Sequence, residues 1–218
     1  MRVTLPSDTA AEIVRTDGDA SAALVVVPDI MGLRPLFDDL VADLAESHGW
    51  NVAAVEPFSG LEQLTLDERL DSVGRLDDER LLADLVAAAD ELDCEPVGVL
   101  GFCMGGMLAL KASSTGRFHR AVSFYGMIHL PEHWQSDTMG DPLGYASQPG
   151  ACPVLAVIAG DDHWTPAADV ADLEAAGATV VRYEGRDHGF VHDPSRPVHH
   201  AADAADAWRQ AVEFLSQP

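Results

Sequence analysis

The stretch Val97-Gly98-Val99-Leu100-Gly101-Phe102-Cys103-Met104-Gly105-Gly106 decides the fold. Its first four residues form a short apolar run, which is typical of a strand buried on both faces of a parallel sheet. The glycines at 101 and 105 flank Cys103 in the pattern Gly-x-Cys-x-Gly, which resembles the sharp strand-to-helix turn that exposes a catalytic nucleophile. A buried structural cysteine in a tight turn is the alternative interpretation of this pattern alone.

Strands and helices alternate on both sides of this stretch. Apolar runs predict strands at residues 22–28, 51–55, 97–100, 121–125, 154–158 and 179–183. Helical spacing of apolar residues predicts helices at residues 36–48, 81–92, 107–112, 167–176 and 200–215, and a helical excursion within 61–75. Residues 129–150 show no periodicity and are predicted to be a long loop. The sequence thus predicts an α/β fold, with a mostly parallel central sheet and helices on both faces.

Composition excludes several classes of function. Apolar residues make up 47% of the 218 positions, and no polar linker divides them, so residues 1–218 are predicted to be a single domain. Acidic residues outnumber basic ones 36 to 13, and the net charge of −23 would repel nucleic acid and anionic membranes. The sequence lacks a secretory leader and a long apolar segment, and its three cysteines form no C-x-x-C pair, so we expect a cytoplasmic protein.

Candidate partners of Cys103 follow the next strands in the order nucleophile, acid, histidine. Asp161 and Asp162 come after the strand predicted at 154–158, and His188 comes after the strand at 179–183. This order matches a nucleophile–histidine–acid triad, in which His188 moves the proton of Cys103 and an aspartate, Asp162 in preference to Asp161, orients the imidazole. A cysteine at a helix N-terminus also favours the reactive thiolate.

Acyl transfer also requires N–H groups directed at the developing oxyanion. The backbone N–H of Met104, directly after the nucleophile, is the first candidate, and that of Ile30 in the loop after the first strand is the second. Trp164 and Tyr125 lie beside the proposed catalytic positions, where they would either line an apolar pocket or simply pack.

These motifs resemble the dienelactone hydrolase family of the α/β-hydrolase superfamily. The resemblance is carried by Asp29-Ile30-Met31-Gly32, Gly101-Phe102-Cys103-Met104-Gly105-Gly106, Asp162-His163 with Pro166, and Tyr183-Glu184-Gly185-Arg186-Asp187-His188-Gly189-Phe190. It implies an α/β-hydrolase fold and a Cys-His-Asp triad that opens a lactone or cleaves an ester through a thioester intermediate. It also implies that Asp29, where the family usually has glutamate, contacts the resting cysteine and helps to activate it.

The resemblance further implies arginines that hold a carboxylate of the substrate. One family position, shortly after the catalytic histidine, is occupied here by His192, for which Arg196 could substitute, and the other falls where Arg69 or Arg75 could serve. We therefore predict substrate contacts by Arg69, Tyr125, Trp164 and His192.

Three functions remain open at this stage. The first is hydrolysis of a small lactone or ester, the second is an esterase or thioesterase activity on another small acyl substrate, and the third is non-catalytic binding of a ligand. The clustered histidines and aspartates between residues 187 and 203 match no zinc signature, so we expect neither a metal nor a cofactor. We expect a monomer or a small homo-oligomer.

Overall fold

An eight-stranded sheet runs through the centre of the computed structural model, which describes residues 1–217. The strands are β1 (Arg2–Thr4), β2 (Ala10–Val14), β3 (Ala22–Val27), β4 (Trp50–Val55), β5 (Val97–Phe102), β6 (Arg120–Phe124), β7 (Val154–Ala159) and β8 (Thr179–Tyr183). Their order in the sheet is β1-β2-β4-β3-β5-β6-β7-β8. Strand β2 pairs antiparallel with both β1 and β4, and the other neighbouring pairs are parallel. The predicted mostly parallel sheet is confirmed.

Helices cover both faces of the sheet. They are α1 (Pro35–His48), α2 (Leu66–Ser72), α3 (Asp78–Glu91), α4 (Met104–Ala112), α5 (Pro142–Ala146), α6 (Ala167–Ala175) and α7 (Ala201–Leu215). Helices α1 and α7 share one apolar core with the sheet, whereas α3, α4 and α6 share the other. No helix within residues 1–217 is both long enough and apolar enough to cross a membrane.

Strand β3 contributes side chains to both apolar cores. Its side chains alternate, so that Leu24 and Val26 pack towards α1 and α7 while Val25 and Val27 pack towards α3 and α4. All four are at most 1% exposed. Burial of each such side chain contributes about 1.5–3 kcal/mol to the stability of the fold, which explains why the strand is apolar without interruption.

Two parts of the architecture differ from the sequence-based expectation. Strands β1 and β2 form an antiparallel edge that was not predicted, because the apolar residues between positions 2 and 14 are interspersed with charged and polar ones. Within the segment 129–150, helix α5 and a short turn at Glu132–Trp134 replace the expected continuous loop. Helix α5 is too short for a helical period to be visible in the sequence.

The chain reverses its direction of progress across the sheet between β3 and β5. From β3 it first adds β4 on one side and then returns to add β5 on the other. Val27 and Gly101 are paired in register, so the two strands end at the same level of the sheet. Such a switch point leaves a crevice at the carboxyl ends of the strands. Residues that follow β3 and β5 directly, including Ile30 and Cys103, therefore meet at this crevice.

Close backbone contacts hold the turn between β5 and α4. Cys103 has a φ of 56°, which is a strained conformation for a residue with a side chain. A Cβ on Gly101 would lie 2.0 Å from the carbonyl oxygen of Gly105, and a Cβ on Gly105 would lie 2.2 Å from that of Val27. The absence of both side chains lets the start of α4 rest on the ends of β3 and β5.

We predict that Gly105→Ala lowers the free energy of unfolding by about 1–3 kcal/mol or more, because the new methyl group overlaps backbone atoms that cannot move independently. Urea denaturation followed by circular dichroism measures the change. Gly144→Ala is the matched control, since Gly144 also lies in a helix but its Cβ would meet no atom within 4 Å. That variant should be neutral or slightly more stable, and equal destabilisation of both variants would contradict this account of the turn.

Candidate active site

Cys103 lies at the junction of β5 and α4 and opens onto a cavity of about 440 Å³. Its backbone N–H donates to Phe124 O (3.0 Å), and its own carbonyl accepts from Met107 N (3.0 Å). Together these bonds fix the turn to β6 on one side and to α4 on the other. The same cavity is lined by His188, so the structure brings the predicted nucleophile and the predicted base to one site.

Asp162 is the acid that contacts His188. Its Oδ2 lies 2.7 Å from His188 Nδ1, its other oxygen accepts from Trp164 N (2.9 Å), and its side chain is fully buried. Asp161 is exposed, and its backbone N–H bonds to Arg186 O. Of the two aspartates considered from the sequence, the structure therefore brings Asp162 to the imidazole.

The second ring nitrogen of His188, Nε2, is buried and makes no hydrogen bond within the described residues. Burial opposes the charged form of the ring, but attraction to the Cys103 sulfur and the bond to Asp162 outweigh it and raise the pKa of His188 to about 10. The protonated form of His188 is thus favoured by its contacts with Asp162 and Cys103. Such a group can exchange a proton with whatever binds beside Cys103.

Two backbone N–H groups beside Cys103 have no partner among residues 1–217. One belongs to Met104 at the first position of α4, and the other belongs to Ile30 in the loop after β3. Ile30 lines the cavity together with Cys103. Free donors at such a position can bind a negatively charged oxygen.

Asp29 is engaged in a buried network rather than with Cys103. Arg34 donates to both of its carboxylate oxygens (2.7 and 2.8 Å), Met31 N donates to Oδ1 (3.0 Å), and His192 Nε2 lies 2.8 Å from Oδ2. Burial would raise the pKa of Asp29, but the bonds from His192 and Arg34 outweigh burial and lower it. The expected contact between Asp29 and the resting cysteine is therefore absent, because these donors already occupy both oxygens.

His192 and Tyr125 extend this network and have no free polar group for a substrate. The Tyr125 hydroxyl lies 2.5 Å from His192 Nδ1, so both ring nitrogens of His192 are bonded. Burial lowers the pKa of His192 and raises that of Tyr125, which keeps both neutral. His192 lines the cavity, whereas Tyr125 is fully buried beneath it. The predicted substrate contact by Tyr125 is wrong, and both ring nitrogens of His192 are already bonded within the protein.

Arg69 also does not reach the cavity. It is 3% exposed, and its guanidinium donates to the carbonyl oxygens of Ile30, Glu62 and Leu64. The predicted substrate contact by Arg69 is therefore wrong, because its donors are used by the protein backbone. Arg75 is exposed and is not among the residues that line the cavity.

Two other arginines line the cavity instead. Arg34, which the sequence analysis missed, is bound to Asp29, whereas the Arg196 guanidinium makes no hydrogen bond or ion pair with any residue of the described chain. The neighbouring Asp193 is occupied by the backbone and hydroxyl of Ser195. The sequence feature that could have indicated Arg34 is its position between Asp29, in the loop after β3, and Pro35, which begins α1.

The remaining walls of the cavity are mostly apolar. Trp164 lines it as predicted from the sequence and stacks on Trp134, with ring centroids 5.5 Å apart and planes 9° apart. The apolar residues that complete the wall are Ile30, Met31, Leu66, Leu70 and Met127. Within residues 1–217, no group of three or more His, Cys, Asp or Glu side chains is arranged to bind a metal ion.

Relatives of the chain are lactone- and ester-cleaving proteins by name. A model of the dienelactone hydrolase family matches residues 10–218. A probable 2-oxo-3-(5-oxofuran-2-ylidene)propanoate lactonase of Bradyrhizobium is 27% identical over 208 residues, which cover 88% of this chain and 82% of the relative. A carboxymethylenebutenolidase of Rhodococcus opacus is 28% identical over 214 residues, which cover 93% and 83% of the two chains.

Solved structures share the fold. A putative dienelactone hydrolase of Klebsiella pneumoniae superposes with a TM-score of 0.87 at 23% identity, covering 100% of this chain and 98% of the other. A dienelactone hydrolase-like promiscuous phosphotriesterase from metagenomic libraries gives a TM-score of 0.77 at 19% identity, covering 99% and 96%. These similarities confirm the α/β-hydrolase fold. Because the family model extends over nearly the whole sequence, the chain belongs to the dienelactone hydrolase family.

Proposed function

We propose that the protein hydrolyses a small lactone or ester through a thioester on Cys103, with His188 and Asp162 completing the triad. The observation that carries this proposal is that the strained Cys103, His188 and Ile30 line one cavity, with Asp162 bonded to His188 and the N–H of Met104 directly after Cys103. Membership of a hydrolase family and the names of the relatives support the same reaction class.

Acylation begins with attack of the Cys103 sulfur on the carbonyl carbon. The carbonyl oxygen becomes negatively charged and accepts hydrogen bonds from Ile30 N and Met104 N. When the tetrahedral intermediate collapses, the bond to the leaving oxygen breaks and His188 donates its proton to that oxygen. In a lactone the alcohol formed stays attached to the acyl group, so ring opening leaves the whole substrate bound as a thioester.

Deacylation uses the same groups in the reverse order. His188, now neutral, removes a proton from water, and the resulting hydroxide attacks the thioester carbon. The carbon–sulfur bond breaks, the carboxylic acid leaves, and Cys103 returns as a thiolate beside protonated His188. Asp162 keeps the proton on Nδ1 throughout, so that Nε2 faces the reacting atoms.

The cavity favours a small substrate with an apolar body and a negative end. Stacked Trp134 and Trp164 form a flat apolar wall, and Arg196 adds a cation that binds no carboxylate of residues 1–217. An arginine left unpaired in a chain with 36 acidic residues is available to a ligand carboxylate. We therefore include a carboxylate, or a similar anion, in the proposed substrate class.

Replacement of the triad tests the chemistry. Cys103→Ala, His188→Ala and Asp162→Asn should each lower kcat by about 10⁴-fold for a short-chain aryl ester or a dienelactone. Mass spectrometry of the wild type, quenched during turnover, should show acyl addition to Cys103. Cys152→Ala is the control, because Cys152 lies outside the cavity and burial raises the pKa of its thiol to about 11. Activity that survives Cys103→Ala would overturn the proposal.

The pKa of His188 offers a test that needs no substrate. In Cys103→Ala the negatively charged sulfur is absent, so the protonated ring loses its attraction to that sulfur and the pKa of His188 should fall. A titration of the imidazole followed by NMR measures this change against the wild type and Cys152→Ala. An unchanged or higher pKa in Cys103→Ala would contradict the interaction between the two side chains.

Arg196→Gln tests the charge of the substrate. For two aryl esters of matched size, one with a terminal carboxylate and one with a neutral terminal amide, the variant should lower kcat/KM for the charged ester by about 10- to 100-fold. The neutral ester should change by less than about twofold. Arg209→Gln is the control, since Arg209 is an exposed residue of α7 that pairs with Asp206 and Glu213. Equal losses for both esters would show that Arg196 does not recognise charge.

A further inference from the structure

The loop between β3 and α1 is bound by a buried arginine, Arg69. Arg69 donates from Nη1 to Ile30 O (3.2 Å), and its other donors bind Glu62 O (2.5 Å) and Leu64 O (3.2 Å). Its guanidinium also lies over the ring of Phe58, 4.8 Å from the centroid. The planar guanidinium can hold three carbonyl oxygens at once, which a lysine ammonium on a flexible chain would not reproduce.

Glu56 holds the far end of the same loop. Its carboxylate accepts from Leu33 N (2.7 Å) and from Phe58 N (2.8 Å), and it lies 3.6 Å from Arg69. A Cβ on Gly32 would approach Glu56 Oε1 to 2.4 Å, so the glycine leaves the space that the carboxylate fills. Both charged side chains are only 3% exposed. A buried ion pair of this kind costs desolvation free energy, which its hydrogen bonds must offset.

The direction of the Ile30 N–H follows from a backbone hydrogen bond within the loop. Within the loop, Asp29 O accepts from Gly32 N (2.9 Å) and so points towards the inside of the turn. The peptide unit that joins residues 29 and 30 is planar and trans, so its N–H points the opposite way to its carbonyl. Arg69 holds the next peptide unit through Ile30 O, and Glu56 holds the end of the loop through Leu33 N, so the backbone that follows the Ile30 N–H is fixed by hydrogen bonds to buried side chains.

We propose that Arg69 and Glu56 are positioning residues that fix the Ile30 N–H as an oxyanion donor, and that neither touches the substrate. This inference rests on the proposed function, because it assigns the pair a role in the same acyl transfer. An apolar pair at these positions would leave Ile30 O and Leu33 N without their hydrogen-bond partners, so the two charged side chains hold the loop in a single arrangement. A displacement of about 1 Å at a catalytic group can cost about 100-fold in rate.

The variants Arg69→Lys, Arg69→Met and Glu56→Gln test the inference. Each should lower kcat for the aryl ester by about 10- to 100-fold while KM changes by less than about threefold. Affinity for a trifluoromethyl ketone, which forms a tetrahedral oxyanion adduct with the cysteine, should fall by the same factor as kcat. Alkylation of Cys103 by iodoacetamide should keep its wild-type rate, because displacement at a saturated carbon creates no oxyanion. Rates are expressed per folded molecule, with the folded fraction measured by circular dichroism.

Arg117→Met is the control, because Arg117, like Arg69, has both carboxylate and backbone carbonyl partners but does not line the cavity or contact the loop. Its kcat should stay close to that of the wild type. If Arg69→Met does not fold, Arg69→Lys and Glu56→Gln still decide the question. An unchanged kcat in those two variants, a change in KM alone, or a parallel loss of alkylation rate would overturn the inference. Failure of the proposed function is distinguishable, because the wild type would then lack Cys103-dependent activity altogether.

Discussion

The contact between backbone atoms at the start of α4 is the constraint on which the site depends. Gly105 lies so close to Val27 O that even one methyl group would not fit, and Gly101 is equally close to the Gly105 carbonyl. These approaches bring the ends of β3 and β5 against the first turn of α4. As a result, the cysteine, the free N–H of Met104 and the loop that carries Ile30 are neighbours, although 73 residues separate Ile30 from Cys103 in the sequence.

Around this junction, the buried charges are arranged in two groups with different tasks. Arg69 and Glu56 bind backbone atoms of the loop after β3, whereas Asp29, Arg34, His192 and Tyr125 form a chain of side-chain hydrogen bonds beside the cavity. In both groups the charged atoms have protein partners, as burial requires. Asp29 consequently makes no hydrogen bond with Cys103, and His188 is the titratable group whose pKa is raised by its interaction with Cys103.

The sequence predicted the parts of the site that depend on local order along the chain. Cys103, Asp162 and His188 each follow an apolar strand, and parallel strands bring their carboxyl ends to one edge of the sheet. The direction of individual side chains could not be predicted in this way. Asp29 meets His192 across 163 residues, and Arg69 turns away from the cavity because Ile30 O and two other carbonyls accept its donors. The direction of these side chains depends on tertiary contacts, and the charged segment around Arg69 contains no periodicity from which the direction could be predicted.

The overall charge of the protein disfavours an anionic ligand, whereas Arg196 at the cavity favours one, and the distance between the charges decides which effect acts at the site. A net charge of −23 disfavours the approach of an anion to the protein as a whole. At physiological ionic strength, however, charges separated by more than about 8 Å are largely screened, so exposed carboxylates far from the cavity have little effect inside it. At the cavity, the Arg196 guanidinium has no ion-pair partner among residues 1–217, and Asp193 accepts hydrogen bonds from the N–H and hydroxyl of Ser195 through one of its oxygens. Recognition of the proposed anionic substrate would therefore depend on short-range contacts with Arg196 rather than on long-range attraction.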